Sequence, residues 1–129
     1  MQIITLAGIQ SIDYTFPLEK DMEIEVFHDV TNEHQTPDEP ALVVKLEGFV
    51  IGYLPRLTTL YTWMMDAKKI GNHQKYEYNR DRYMVTESVR DQIQLDLFRN
   101  QMLVKGKIYR VEQTDDGDIK SISCSFDYL

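Results

Sequence analysis

The sequence predicts an α+β chain, mainly β: a small antiparallel β-barrel or curled sheet with one or two helices packed against one side. Three observations carry this expectation. Short apolar stretches bounded by turn residues recur along the chain, a glycine-turned hairpin runs directly into a helical pattern, and a second hairpin signal, Asp116-Gly117, lies between two alternating segments near the end. With 129 residues, 43% hydrophobic and 27% charged, a single domain over residues 1–129 can bury a sizeable core.

The elements follow in order. In residues 1–10, Ile3, Ile4, Leu6, Ala7 and Ile9 form a strand pattern, and Gly8 inside it marks a bulge or a close backbone approach. Residues 11–21 form a loop carrying two aromatics, Tyr14 and Phe16. Residues 22–30 alternate, with Met22, Ile24 and Val26 on one parity and Glu23, Glu25 and Phe27 on the other, which predicts a strand with one wet face. Residues 31–40 are rich in Asn, Thr, Pro and acids and hold no apolar anchor, so they read as a surface loop. Next come an apolar strand at 41–46, a turn at Glu47-Gly48 and a second strand at 49–54. Val43, Val44, Val50 and Ile51 suit a pleated surface, and Gly48 supplies the positive φ of a short turn. Pro55 ends the strand, and Arg56 opens a helix.

In residues 57–70, Leu57, Leu60, Tyr61, Met64 and Ala67 fall at helical spacing. Lys68 and Lys69 suit the negative end of the helix dipole, and Gly71 stands just beyond. Residues 72–85 show no clean period and are expected to be irregular. Residues 86–102 fit a second helix capped by Thr86 or Ser88, with Val89, Ile93 and Leu97 on one stripe; the alternation Ile93, Leu95, Leu97 leaves a strand open. The final hairpin runs over 102–113 and 119–129. No internal repeat, linker or low-complexity tract interrupts this order.

Composition narrows the function. No run of about eighteen apolar residues is present, and the first residues lack the basic-then-apolar order of a secretion signal, so a soluble, cytoplasmic protein is expected. The one cysteine, Cys124, reads as a small core residue. A net charge of −7 and a pI near 4.9 disfavour extensive contact with duplex nucleic acid but leave room for a local basic patch. The phosphate-cradling, nucleophile-elbow and zinc motifs are absent, which predicts neither an enzyme nor a cofactor. His28, His34 and His73 are dispersed, and the carboxylates Asp29, Glu33, Asp38 and Glu39 read as a solvated loop, so no metal is expected.

One combination of residues is more specific. An Ala7-Gly8 pair in the first strand, D-x-x-A-L-x-V (Asp38, Ala41, Leu42, Val44) and G-x-x-I-G-Y-L-P-R (Gly48, Ile51, Gly52, Tyr53, Leu54, Pro55, Arg56) together resemble the HIRAN domain family. The resemblance covers residues 3–70, resumes in the last hairpin, and leaves about 70–101 as an insertion with a helix. It implies a modified OB-like β-barrel that binds single-stranded DNA at a free 3′-OH end, acting in DNA repair, replication or mobile-element biology. Asp38 would accept a hydrogen bond from the 3′ hydroxyl, Tyr53 and Arg56 would supply the pocket and phosphate contacts, and Tyr14 or Phe16 would supply the loop aromatic. Such contacts are chemically apt, since base stacking on a ring contributes about 1–3 kcal/mol per base and an arginine can position a phosphate. Plain structural roles compete: Tyr53 packing on the helix, Arg56 paired with Asp38, Tyr14 covering the barrel end. A second function class is an acidic protein-interaction or adaptor domain that engages a protein partner through the loop and the tyrosine-rich segment.

Overall fold

The computed structural model describes residues 1–128. Six strands, β1 (Gln2–Thr5), β2 (Glu23–His28), β3 (Leu42–Leu46), β4 (Phe49–Tyr53), β5 (Val104–Gln113) and β6 (Ile119–Phe126), form one antiparallel sheet in the order β1-β6-β5-β2-β3-β4. The fold is α+β, and the sheet curls into a half-barrel. Its two edges meet just past β1, where Ala7 and Tyr53 exchange backbone hydrogen bonds of 2.8 and 2.9 Å. Alternation gives the sheet one apolar face: Ile24 and Val26, Leu42, Val44 and Leu46, Ile108, and Ile122 and Cys124 all turn inward and are buried, as strand periodicity requires.

Local chemistry sets the turns. Glu47 and Gly48 have φ of 49° and 85°, the pair of positive values that a two-residue type I′ hairpin needs and that matches strand twist. Strand β1 is shorter than the apolar run at residues 3–9 predicts. Gly8, at φ 70°, reverses the chain into a short 3-10 turn, Ile9–Ser11, so Ile9 reaches the core from a turn instead of a strand.

Glycine is also required where strands approach most closely. A Cβ on Gly106 of β5 would lie 2.6 Å from the Ser125 carbonyl oxygen and 2.9 Å from the Phe126 ring. Gly106→Ala is therefore expected to push β5 from β6 and to destabilise by about 1–3 kcal/mol, the usual range for overpacking. A urea titration unchanged from wild type would contradict this close approach of β5 and β6.

Two helices, α1 (Leu57–Lys69) and α2 (His73–Gln94), form an antiparallel hairpin, and α2 runs on into a π-helical turn, Leu95–Arg99. Residues 73–85, expected to be irregular, are the first half of α2. Asn72 caps it by accepting from the Lys75 amide at 3.1 Å, and Thr86, expected at a cap, is buried mid-helix. The helical period was hidden because several inward positions of α2, Asn79, Thr86 and Arg90, are polar. Val89 and Ile93 of the same helix belong to the core of the half-barrel. The segment at 70–101 is thus built into the fold, and the strand alternative at 93–97 is replaced by helix. Among the described residues, no helix is long and apolar enough to cross a membrane.

Candidate functional site

A cavity of about 240 Å³ opens where the β1–β4 closure, the loop at 29–40 and the start of α1 converge; its lining includes Gly8, Glu39, Tyr53, Arg56 and Arg90. A shallower hollow of about 440 Å³ lies on the other side of the same loop, lined by apolar groups such as Val30, Pro37 and Phe98 with His28 as its sole ionisable member. Of these two, the first brings cations, a carboxylate and a ring together.

Arg90 forms one wall. It is 2% exposed and donates from Nη1 to the Pro55 carbonyl at 3.2 Å and from Nη2 to the Pro40 carbonyl at 2.6 Å. Pro40 precedes β3 and Pro55 follows β4, so both carbonyls lie beyond the strand ladder and would be costly to bury unpaired. Arg90 thereby ties α2 to both stems of the β3–β4 hairpin. Burial pulls its pKa down and the nearby Glu39 carboxylate pushes it back up; a guanidinium so placed remains charged.

Glu39 faces the start of α1. One carboxylate oxygen accepts from the Leu57 amide and the other from the Thr58 hydroxyl at 3.4 Å, which places negative charge on the positive end of the helix dipole. Arg56 itself makes no side-chain capping bond. It is exposed, and among the described residues it belongs to none of the ion pairs, which are Arg80–Asp81, Lys105–Glu23 and Arg110–Glu112.

The loop at 29–40 has no apolar anchor, as its composition predicts, yet it is held by polar bonds. The Gln35 side chain accepts from the Ala41 amide at 3.0 Å and donates to the Asp29 carbonyl at 2.9 Å. Because Gln35 Oε1 is thereby the acceptor, His28 Nε2 donates to it, at 2.8 Å. Asp29 accepts from the Thr31 amide and hydroxyl and, at 3.1 Å, from the Tyr53 hydroxyl. The Thr31 bonds hold the Asp29 carboxyl below the usual carboxylate range. Tyr53 has its hydroxyl pushed up, first by burial and then by Asp29.

Of the five residues expected to form the site, the structure brings two together. Tyr53 and Arg56 line the cavity. Asp38 does not: it lies exposed at the loop surface, and its neighbour Glu39 turns inward to the Leu57 amide. No Arg56–Asp38 pair forms. Tyr14 and Phe16 lie at the opposite end of β4, where the Tyr14 hydroxyl donates to the Ile51 carbonyl at 2.8 Å and Phe16 packs on Phe49 at 5.0 Å between ring centroids. The Ile51 carbonyl on the edge of β4 accounts for Tyr14, which supplies it a donor, and packing on the exposed Phe49 ring accounts for Phe16. Glu39, Arg90 and Gln35 were missed; for Arg90 the available signal was its place on the stripe Thr86, Arg90, Ile93.

Burial elsewhere sets a pH limit on the fold. It pushes the Tyr14 hydroxyl, the Cys124 thiol and the Tyr128 hydroxyl, which also donates to Asp96, each up to about 12. These groups keep their protons longer folded than unfolded, so their stabilisation is intact below the ordinary values of 9.0 and 10.0 and is lost as pH rises toward 12. A melting-temperature series is expected to fall steeply across that window; a flat profile to pH 12 would contradict the burial.

The fold and site together define a small half-barrel with a helical hairpin and a cavity lined by arginines and a ring. Compared with protein-family models, with curated proteins and with solved structures, the chain matches none.

Proposed function

We propose that this chain is a HIRAN-like module whose OB-like half-barrel binds the 3′ end of single-stranded DNA in the cavity between Tyr53, Arg56 and Arg90, and that it is a binding protein without catalytic activity. The observation that carries the reading is Arg56: an exposed guanidinium with no ion-pair partner among the described residues, at the mouth of a cavity whose wall holds a second, buried arginine. In a chain of net charge −7, two cations against one carboxylate make a local site for one or two phosphates. The Tyr53 ring offers a stacking face for a base. Glu39, the carboxylate that lines the cavity, accepts a hydrogen bond from a terminal hydroxyl and repels a terminal phosphate.

Fluorescence anisotropy with a labelled oligonucleotide and its 3′-phosphate twin tests this. The 3′-OH form is expected to bind about tenfold more tightly, the effect of one charge-assisted hydrogen bond, and Glu39→Gln, which keeps an acceptor for the Leu57 amide, is expected to narrow the gap. Equal affinities for the two oligonucleotides would overturn the reading. A protein-docking role draws on a different surface, the apolar hollow where Val30 and Phe98 are 74% and 46% exposed; it predicts a stable protein complex indifferent to Arg56→Ala.

A further inference from the structure

Helix α2 carries one stripe along the half-barrel. Val85, Val89 and Ile93, at spacings of four, pack on the core. Toward the start of the helix the stripe continues as Arg82 and Tyr78, but there it outruns the sheet. Tyr78 is 61% exposed, and Trp63 on α1 is 46% exposed. The Arg82 guanidinium stands between them, its Cζ 5.7 Å from the Trp63 ring centre and 5.6 Å from that of Tyr78. Cation–π contact on both sides holds the two rings in place while leaving outer faces to solvent. A stripe that served only the core would end in small or aliphatic residues where the barrel ends.

Charge says what such a surface suits. Between residues 61 and 84, five lysines and arginines face three acids, a net of +2, whereas the whole chain carries −7, leaving −9 for the remainder. Arg56, the N-cap of α1, precedes Trp63 by seven residues, so the cavity mouth and the rings are separated by about 10 Å along the helix axis.

We propose that Trp63, Arg82 and Tyr78 form a second contact for single-stranded nucleic acid, a stacking platform for the bases leading away from the cavity mouth. It rests on the reading above for its place along the strand, but not for its chemistry. The rings take base faces and Arg82, with neighbouring lysines, takes phosphates.

Trp63 is the only tryptophan, so its emission reports directly on the platform. Unlabelled dT12 is expected to quench it, and to bind roughly tenfold more tightly than dT3, the effect of one stacked base. Read by the anisotropy of labelled dT12 and dT3, Trp63→Ala and Arg82→Ala are expected to remove that length-dependent gain while leaving the preference for 3′-OH over 3′-phosphate; Trp63→Phe, which keeps a ring, is expected to retain it. Quenching by dT12 that is blind to the 3′ group and survives Arg56→Ala would support the platform while end recognition failed. Unchanged emission with dT12, or Trp63→Ala without effect on length dependence, would overturn it. So would equal quenching by polyglutamate, which has charge but no bases, or emission that changes with protein concentration alone, the mark of a second copy seated on the rings.

Discussion

Arg90→Ala is expected to destabilise the fold by about 3–5 kcal/mol, from two carbonyls left unpaired at about 1–3 kcal/mol each and the void left by a large side chain. Three losses coincide. The Pro40 and Pro55 carbonyls lose donors at 2.6 and 3.2 Å, Glu39 loses the cation beside it, and a large side chain leaves a void in a wall where it is 2% exposed. Relief of guanidinium burial offsets only part of this, because the carbonyls left behind remain unpaired. Against a total stability of about 5–15 kcal/mol, such a loss brings the chain close to unfolding at physiological temperature. Arg90→Met separates packing from bonding, since it fills much of the volume and donates nothing, and it is expected to recover only a minority of the loss. Urea denaturation with an unchanged slope checks both variants, and a shift under 1 kcal/mol in Arg90→Ala would mean that the hairpin stems do not depend on α2.

Arg56→Ala is expected to do the opposite: to leave stability within about 0.5 kcal/mol and to remove binding. The side chain is exposed, caps nothing and pairs with no acid among the described residues, so the fold does not lean on it. Its loss is expected to weaken a 3′-OH oligonucleotide about tenfold or more and to reduce the slope of log affinity against log salt by about 1, the signature of one phosphate contact. Arg56→Lys, which keeps the charge but not the fork, is expected to restore the salt slope and only part of the affinity. An Arg56→Ala variant with wild-type affinity and slope would move the phosphate site elsewhere.

Legibility in the sequence follows how each element is specified. The hairpin at 41–54 was readable because its turn, its β-branched residues and the terminating Pro55 all act locally. The same holds for α1, with apolar residues at helical spacing, and for the final hairpin, marked by Asp116-Gly117. The first half of α2 was not readable, because its inward face relies on Asn79, Thr86 and Arg90, and a period counted on apolar residues vanishes there. At the site, Tyr53 and Arg56 flank Pro55 and inherit its visibility. That Glu39 turns inward and Asp38 does not depends on the Leu57 amide across the cavity, a contact between residues eighteen apart that no local pattern records. Tyr14 lies away from the cavity for a similar reason: its hydroxyl goes to a carbonyl on the edge of β4, and Ile51 is thirty-seven residues away.

The most direct test of the end-binding cavity is a titration of isotope-labelled protein with a short 3′-OH oligonucleotide, followed by amide and arginine Nε–H resonances. The largest shifts are expected at Ala7, Gly8, Tyr53 and Arg56, with the buried Arg90 Nε–H moving with them. Shifts confined to the outer face around Phe27 and Val50, or to the hollow around Val30 and Phe98, with the Arg56 and Arg90 signals still, would contradict it.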